Sequence, residues 1–178
     1  IMAGQFEPPD GRAAILAGSC SEATRGQIKA AIEAGMSTLK LDPVDIAQGR
    51  MDVDEAIRWA LAQEGVPLIY SSADPKDVLA AQDSLGQEKA GEIVEQFLAK
   101  TAIGLRENGV RRLIVAGGET SGAVVGALAP SALFIGREID PGVPWTLTMG
   151  DGAPMALALK SGNFGTADFF LKAWELLK

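Results

Sequence analysis

The sequence contains no histidine and a single cysteine, Cys20. Those absences exclude a Ser-His-Asp triad, a histidine-ligated metal, a multi-cysteine zinc site and an internal disulfide. Basic residues are also scarce: 16 Lys and Arg against 23 Asp and Glu leave a net charge of −7. That balance disfavours the broad positive surface required by nucleic acid or an anionic bilayer. No apolar run approaches the ~20 residues of a membrane-spanning helix, and no basic-then-apolar segment opens the chain. The expected partners are therefore small molecules, with no nucleic acid and no membrane, and a reducing cytoplasm is the expected compartment. Chemistry has to come from carboxylates, Lys, Ser, Thr and the backbone.

What is present suits a folded protein. The 178 residues are 47% hydrophobic and 22% charged, without low-complexity tracts, enough for one domain with a sizeable core. Residues 1–12, with Pro8, Pro9, Asp10 and Gly11, read as a linker or remnant ahead of a domain over 13–178, and the whole reads as a piece of a longer protein.

Apolar strand-like runs alternate with amphipathic helix-like segments. Strands are expected at 13–17, 38–41, 66–70, 113–116, 132–135 and 155–159, and helices at 22–34, 54–63, 88–107, 123–129 and 167–177. The longest helix carries a buried stripe of Ile93, Val94, Phe97, Leu98, Thr101, Ala102 and Leu105. Residues 74–87 read as a polar connection and 140–145 as a rigid turn set by two prolines and a glycine. The fold class is α/β: a mainly parallel sheet with helices on both faces, in a single domain.

In such sheets ligands bind beyond the carboxyl ends of the strands. Four loops there gather glycines, hydroxyls and a lysine: Gly18-Ser-Cys-Ser21, Ser71-Ser72, Gly117-Gly-Glu-Thr-Ser121 and Lys160-Ser-Gly-Asn-Phe-Gly165. Paired glycines allow φ > 0 and close approach, and the N–H groups opening a helix attract anions. Thr120 and Ser121 can cap that helix or bond a phosphate oxygen, while Gly118 is expected where the backbone passes closest to a phosphate. Glu119 can hold Mg²⁺ through a water, or can simply be an acidic residue favoured by the helix dipole. Lys160 can meet a phosphate or end its strand in solvent; Ser19 and Ser21 can bind or cap. Cys20 reads as a small buried packing residue. Neither a Walker A pattern nor Gly-x-Gly-x-x-Gly after a strand occurs, so P-loop and dinucleotide labels have no support.

Four motifs in order, Gly18-Ser-Cys-Ser-Glu-Ala-Thr24, Ala116-Gly-Gly-Glu-Thr-Ser-Gly122, Glu138-Ile-Asp-Pro-Gly-Val-Pro-Trp145 and Leu159-Lys-Ser-Gly-Asn-Phe-Gly165, closely resemble the C-terminal, nucleotide-binding domain of the four-carbon acid sugar kinase family. That family includes 3-oxo-tetronate and threonate kinases, and the resemblance covers nearly all of 13–178. It implies an ATP-dependent, Mg²⁺-assisted kinase of two domains, whose sugar-acid site and catalytic base lie in an N-terminal domain absent from this chain. ATP or ADP contacts are implied at Ser19 or Ser21, at Gly117, Gly118, Glu119, Thr120 and Ser121, and at Gly162, with Lys160 beside them. The acid sugar would be a partner through the other domain, and a homo-oligomer is compatible. The competing reading is a non-catalytic module that binds a nucleotide or phosphorylated metabolite.

Overall fold

The computed structural model describes residues 4–71 and 75–178. Its centre is a seven-stranded sheet in the order β2-β3-β1-β4-β7-β6-β5. The strands are β1 (Arg12–Ala17), β2 (Thr38–Leu41), β3 (Leu68–Ser71), β4 (Val110–Ala116), β5 (Ala132–Asp140), β6 (Val143–Met149) and β7 (Ala156–Lys160). Strands β2, β3, β1, β4 and β7 pair in parallel, and β6 pairs antiparallel with both β7 and β5.

The central strands are apolar at successive positions because both faces of the sheet are covered. Along β1, Ala14 and Leu16 enter one core while Ile15 and Ala17 enter the other. The first core is closed by α3 (Val53–Leu61), α5 (Gln87–Glu107) and α6 (Gly118–Leu128), through Ile57, Phe97, Leu98, Leu105 and Val124. The second is closed by α1 (Glu22–Glu33), α7 (Phe169–Lys172) and the 3₁₀ turn Ala173–Leu177 that follows it, through Ile28, Ala31, Phe169, Phe170 and Leu177. Two further helices, α2 (Pro43–Ala47) and α4 (Pro75–Leu85), stand at the carboxyl ends of β2 and β3. None of the helices among the described residues is long and apolar enough to cross a membrane.

Several elements differ from the sequence expectation. The stretch 74–87 contains α4, whose exposed Leu79 and polar residues give it no clean apolar stripe. The proposed rigid turn at 140–145 is a tight hairpin: Asp140 pairs with Val143, Gly142 takes φ +82°, and β6 starts at once. Pro144 is tolerated inside β6 because it faces a register shift on β5 and lies before the first residue paired with β7, Trp145. The closing helix 167–177 is only one α turn before it tightens to 3₁₀. Ahead of β1, residues 4–11 reach from the edge strand β5 to the central strand β4, with Gly4 N donating to Ile135 O at 3.3 Å, the Phe6 ring edge-on to Phe134, and Arg112 Nε donating to Pro9 O at 3.0 Å.

Candidate functional site

Register puts the relevant strand ends in one row. Ala17 pairs with Ala116, and Ala116 pairs with Lys160. The row is stitched one residue further by Gly18 N to Ala116 O at 2.9 Å and Gly117 N to Lys160 O at 2.8 Å. Beyond it the chain after β1 turns to α1 on one face, and the chain after β4 turns to α6 on the other. Adjacent strands whose connections leave to opposite faces open a crevice at their carboxyl ends.

A cleft of about 940 Å³ lies at this edge, lined by Gly18, Ser19 and Cys20 from the β1–α1 loop and by Gly117, Gly118, Glu119 and Thr120 from the start of α6. Its outer walls come from α4 and α5, with Val78, Ala81, Ala90 and Val94 giving apolar surface, and Asp77, Glu88, Glu92 and Glu95 giving acids. No Lys or Arg lines it among the described residues.

The Gly-Gly turn is tighter than a phosphate-sized loop. The helix begins at Gly118, so Gly118 to Ser121 form its first turn and only Gly117, at φ +119°, makes the bend. A Cβ on Gly117 would lie 3.2 Å from Ser19 N and 3.1 Å from Thr120 Oγ1, whereas a Cβ on Gly118 would meet nothing within 4 Å. Gly117, rather than Gly118, is the position that the fold itself restricts to glycine. Gly117 is also the N-cap, and no side chain caps the helix. Thr120 and Ser121 therefore do not cap it: Thr120 is buried with Oγ1 against Gly18 and Gly117, and Ser121 Oγ is a buried hydroxyl without a partner among the described residues. The N–H groups opening α6 remain uncapped at the cleft, the arrangement that suits an anion.

Ser19 and Ser21 shape the opposite loop. Ser21 N donates to Ser19 Oγ at 3.1 Å, and Ser21 Oγ caps α1 by accepting from Thr24 N at 3.2 Å. Gly162 fits directly against both, since a Cβ there would lie 2.8 Å from Ser19 Oγ and 3.0 Å from Ser21 Cβ. Ser19, Gly118 and Thr120 thus share the cleft, with Gly162 and Ser21 behind Ser19. Cys20, expected to be buried, is exposed at the cleft.

Lys160 is placed differently from its sequence reading as a cation open to a phosphate. It is fully buried, and its Nζ donates to Thr24 Oγ1 at 2.9 Å, Gly162 O at 2.8 Å and Ser161 O at 3.1 Å. Burial lowers its pKa from 10.5 to about 8. Its protons are committed to the turn and to Thr24 of α1, so it ties the two together instead of lining the cleft. Residues 162–166 are fastened further by Gln27 Nε2 to Phe164 O and Thr166 O, at 3.0 and 3.1 Å, and by Thr166 N to Asp140 Oδ2 at 2.9 Å.

Glu119 is exposed at the cleft and faces a carboxylate that the sequence did not single out, Glu95 of α5. The pKa of Glu95 is raised, first by burial, then by the charge and hydrogen bond of Glu119 and by the charge of Glu92. Two carboxylates held together favour a shared proton or a cation between them. On sequence alone Glu92 and Glu95 belong to the solvated face of an amphipathic helix. Ser71 ends β3 at the cleft, and Ser72 lies outside the described residues.

The nucleotide-binding C-terminal domain family model matches residues 14–170. The chain is 53% identical over 159 residues to a 3-oxo-tetronate kinase of Pseudomonas fluorescens, covering 89% of this chain and 37% of that protein. It is likewise 53% identical over 169 residues to a 3-oxo-tetronate kinase of Burkholderia multivorans, covering 94% of this chain and 39% of that one. The crystal structure of Haemophilus influenzae protein HI1011 superposes with a TM-score of 0.88 at 34% identity, over 97% of this chain and 42% of that one. The chain thus spans about 40% of the length of these relatives. It belongs to the nucleotide-binding C-terminal domain family and is a 3-oxo-tetronate kinase-like C-terminal domain.

Proposed function

We propose that this chain is the ATP-holding part of a kinase that phosphorylates a four-carbon acid sugar of the 3-oxo-tetronate class, with the sugar-acid site and catalytic base in a part outside residues 1–178. The observation that carries this reading is the convergence of two loops, around Ser19 and Gly117, on one cleft into which the uncapped start of α6 opens, with the Gly162 turn packed against Ser19 from behind. Ser19 and the backbone of Gly117 to Thr120 are the groups that would hold the phosphates, with the Gly162 turn, Ser21 and Lys160 fixing Ser19 from behind and Ser121 inside the first turn of α6. Names of relatives support the substrate class, since the matching proteins are 3-oxo-tetronate kinases.

The residues fit a divalent cation as well. An anion entering a cleft walled by acids is repelled unless positive charge comes with it, and the facing pair Glu95 and Glu119 is a suitable oxygen donor set for Mg²⁺, directly or through water. Bound there, Mg²⁺ would neutralise phosphate oxygens during transfer. The chain's own contribution is to position the nucleotide and to keep its phosphates at the mouth of the cleft. The cytoplasm, which supplies ATP and keeps a thiol such as Cys20 reduced, is the compartment that suits this reading.

The test separates the two parts of the proposal. Calorimetry with this chain should give saturable binding of ADP in the presence of Mg²⁺, and a coupled assay should give no phosphorylation of D-threonate or a 3-oxo-tetronate. The full-length kinase should do both. Absence of ADP binding would sink the nucleotide reading, turnover by this chain alone would sink the division of labour, and binding without turnover in the full-length protein would favour a non-catalytic sensor.

A further inference from the structure

Lys160 ends β7 and is among the largest side chains with no exposed surface. Its three protons go to uncharged oxygens, and among the described residues no carboxylate pairs with it. Removing an ammonium from water without a counter-ion is costly. The fold nevertheless keeps one directly beneath the Gly162 turn, whose carbonyl also meets Thr24 Oγ1 at 3.0 Å and Ser21 Oγ. A packing role alone would be met by an apolar side chain of the same length.

We propose that Lys160 is a positioning residue for the anionic ligand: it holds the Ser161 and Gly162 turn against Ser19 and Ser21, and its charge, from under that turn, draws the phosphate groups of a nucleotide to the Ser19 and Gly117 edge. This rests on the nucleotide reading above and adds to it, beside the divalent cation, a positive charge from the protein itself, since no Lys or Arg lines the cleft among the described residues. The ammonium does not touch the ligand; it acts through the Gly162 carbonyl and across a short stretch of low-dielectric protein.

The charge has a consequence for pH. An anion arriving near Lys160 favours its protonated form, so its pKa rises on binding and the complex takes up a proton. Affinity accordingly falls as pH climbs through about 8, where the free protein has lost half of that proton. Titratable groups on the surrounding elements are Cys20 before α1, Glu22 and Arg25 on α1, Glu119 on α6, Asp140 at the hairpin, and Asp168 and Lys172 past the turn. From β4 and β6 the neighbours are Ala116 and the uncharged residues around Trp145. None of these groups bonds to Lys160 Nζ.

Calorimetry with Mg²⁺ and ADP at pH 7, 8 and 9, in buffers of different ionisation enthalpy, tests this on the 178-residue chain. The phosphates of ADP are ionised throughout that range. Affinity should fall roughly tenfold from pH 7 to pH 9, with uptake of about half a proton at pH 8. The uptake should persist in Cys20→Ala, which removes the thiol at the cleft. Lys160→Met should bind ADP more weakly at pH 7 and show a flat profile up to pH 9. Wild-type binding without proton uptake at pH 8 overturns the proposal whether or not the Met variant folds, and a folded Met variant with the wild-type pH profile overturns it equally. No ADP binding by the wild type at pH 7 instead overturns the nucleotide reading, and this inference falls with it.

Discussion

Gly117 and Gly118 are neighbours with opposite requirements. At φ +119°, with Ser19 N in the path of a Cβ, Gly117 is held in a backbone region that other residues adopt only under strain. Gly117→Ala should therefore cost ~1–3 kcal/mol in urea denaturation, whether or not a ligand is present. Gly118 is helical and open, so Gly118→Val should change stability by no more than about 0.5 kcal/mol. If phosphate oxygens pass over this turn, the same substitution should lower ADP affinity at least roughly tenfold, about 1.4 kcal/mol. Calorimetry on the folded variant decides the matter: an unchanged affinity would mean that no phosphate lies there. With the tenfold loss, the pair would separate a glycine needed by the chain from one needed by its ligand.

At the scale of elements, the 161–168 connection depends on the β5–β6 hairpin. Asp140, the last residue of β5 and nearly buried, accepts from Lys172 Nζ at 2.6 Å and from Thr166 N at 2.9 Å, so one carboxylate ties the hairpin, the connection and α7 together. Burial works to raise its pKa, but the hydrogen bonds and charge of Lys172 and the bonds from Thr166 outweigh it, and the net shift is downward from 3.8. A carboxyl whose folded pKa is depressed stabilises above its unfolded value and loses that contribution as pH falls through the folded one. Asp140→Ala should destabilise by about 2 kcal/mol near neutral pH, since it leaves the Thr166 N–H without its acceptor and takes from Lys172 its nearer carboxylate, leaving it Thr166 Oγ1 and Asp168. The deficit should shrink below about pH 3.8, as the wild-type carboxylate is protonated. Melts of both proteins across pH 2.5–7 would check this, and a constant gap would show that Asp140 contributes by packing.

For the whole molecule the informative quantity is linkage. A ligand at about 100 times its Kd stabilises the folded state by about 2.7 kcal/mol, and for a domain of this size each kcal/mol moves Tm by about 2–4 °C. Saturating ADP with Mg²⁺ should thus raise Tm by roughly 5–10 °C. Replacing Mg²⁺ with EDTA should remove most of that rise, because the acids of α5 and Glu119 then oppose the phosphates without a cation between them. A shift that survives EDTA would place the metal outside the proposed arrangement. Glu95→Gln, which relieves the contact with Glu119, should lower the Mg²⁺ dependence while leaving the protein at least as stable as wild type near neutral pH.

The amino-acid order alone determined what short-range periodicity can encode. Runs such as Leu113 to Ala116 are apolar at every position because both sheet faces are covered, the stripe on α5 repeats with the helix, and glycines and hydroxyls sit where strands end. Those signals, with four motifs in order, were enough for a mainly parallel α/β sheet and for a candidate site among the loops at its carboxyl edge. Tertiary structure decided what depends on neighbours distant in sequence. The pairing of Ala17, Ala116 and Lys160 brought the loops into one row; packing made α4 from a stretch without a clean apolar stripe; a register shift let Pro144 enter β6. The same long-range contacts turned Cys20 out, enclosed Lys160, and brought Glu95 opposite Glu119. A strand end reads as exposed until the partners that cover it are known, and a helix's polar face reads as solvated until another element stands across from it.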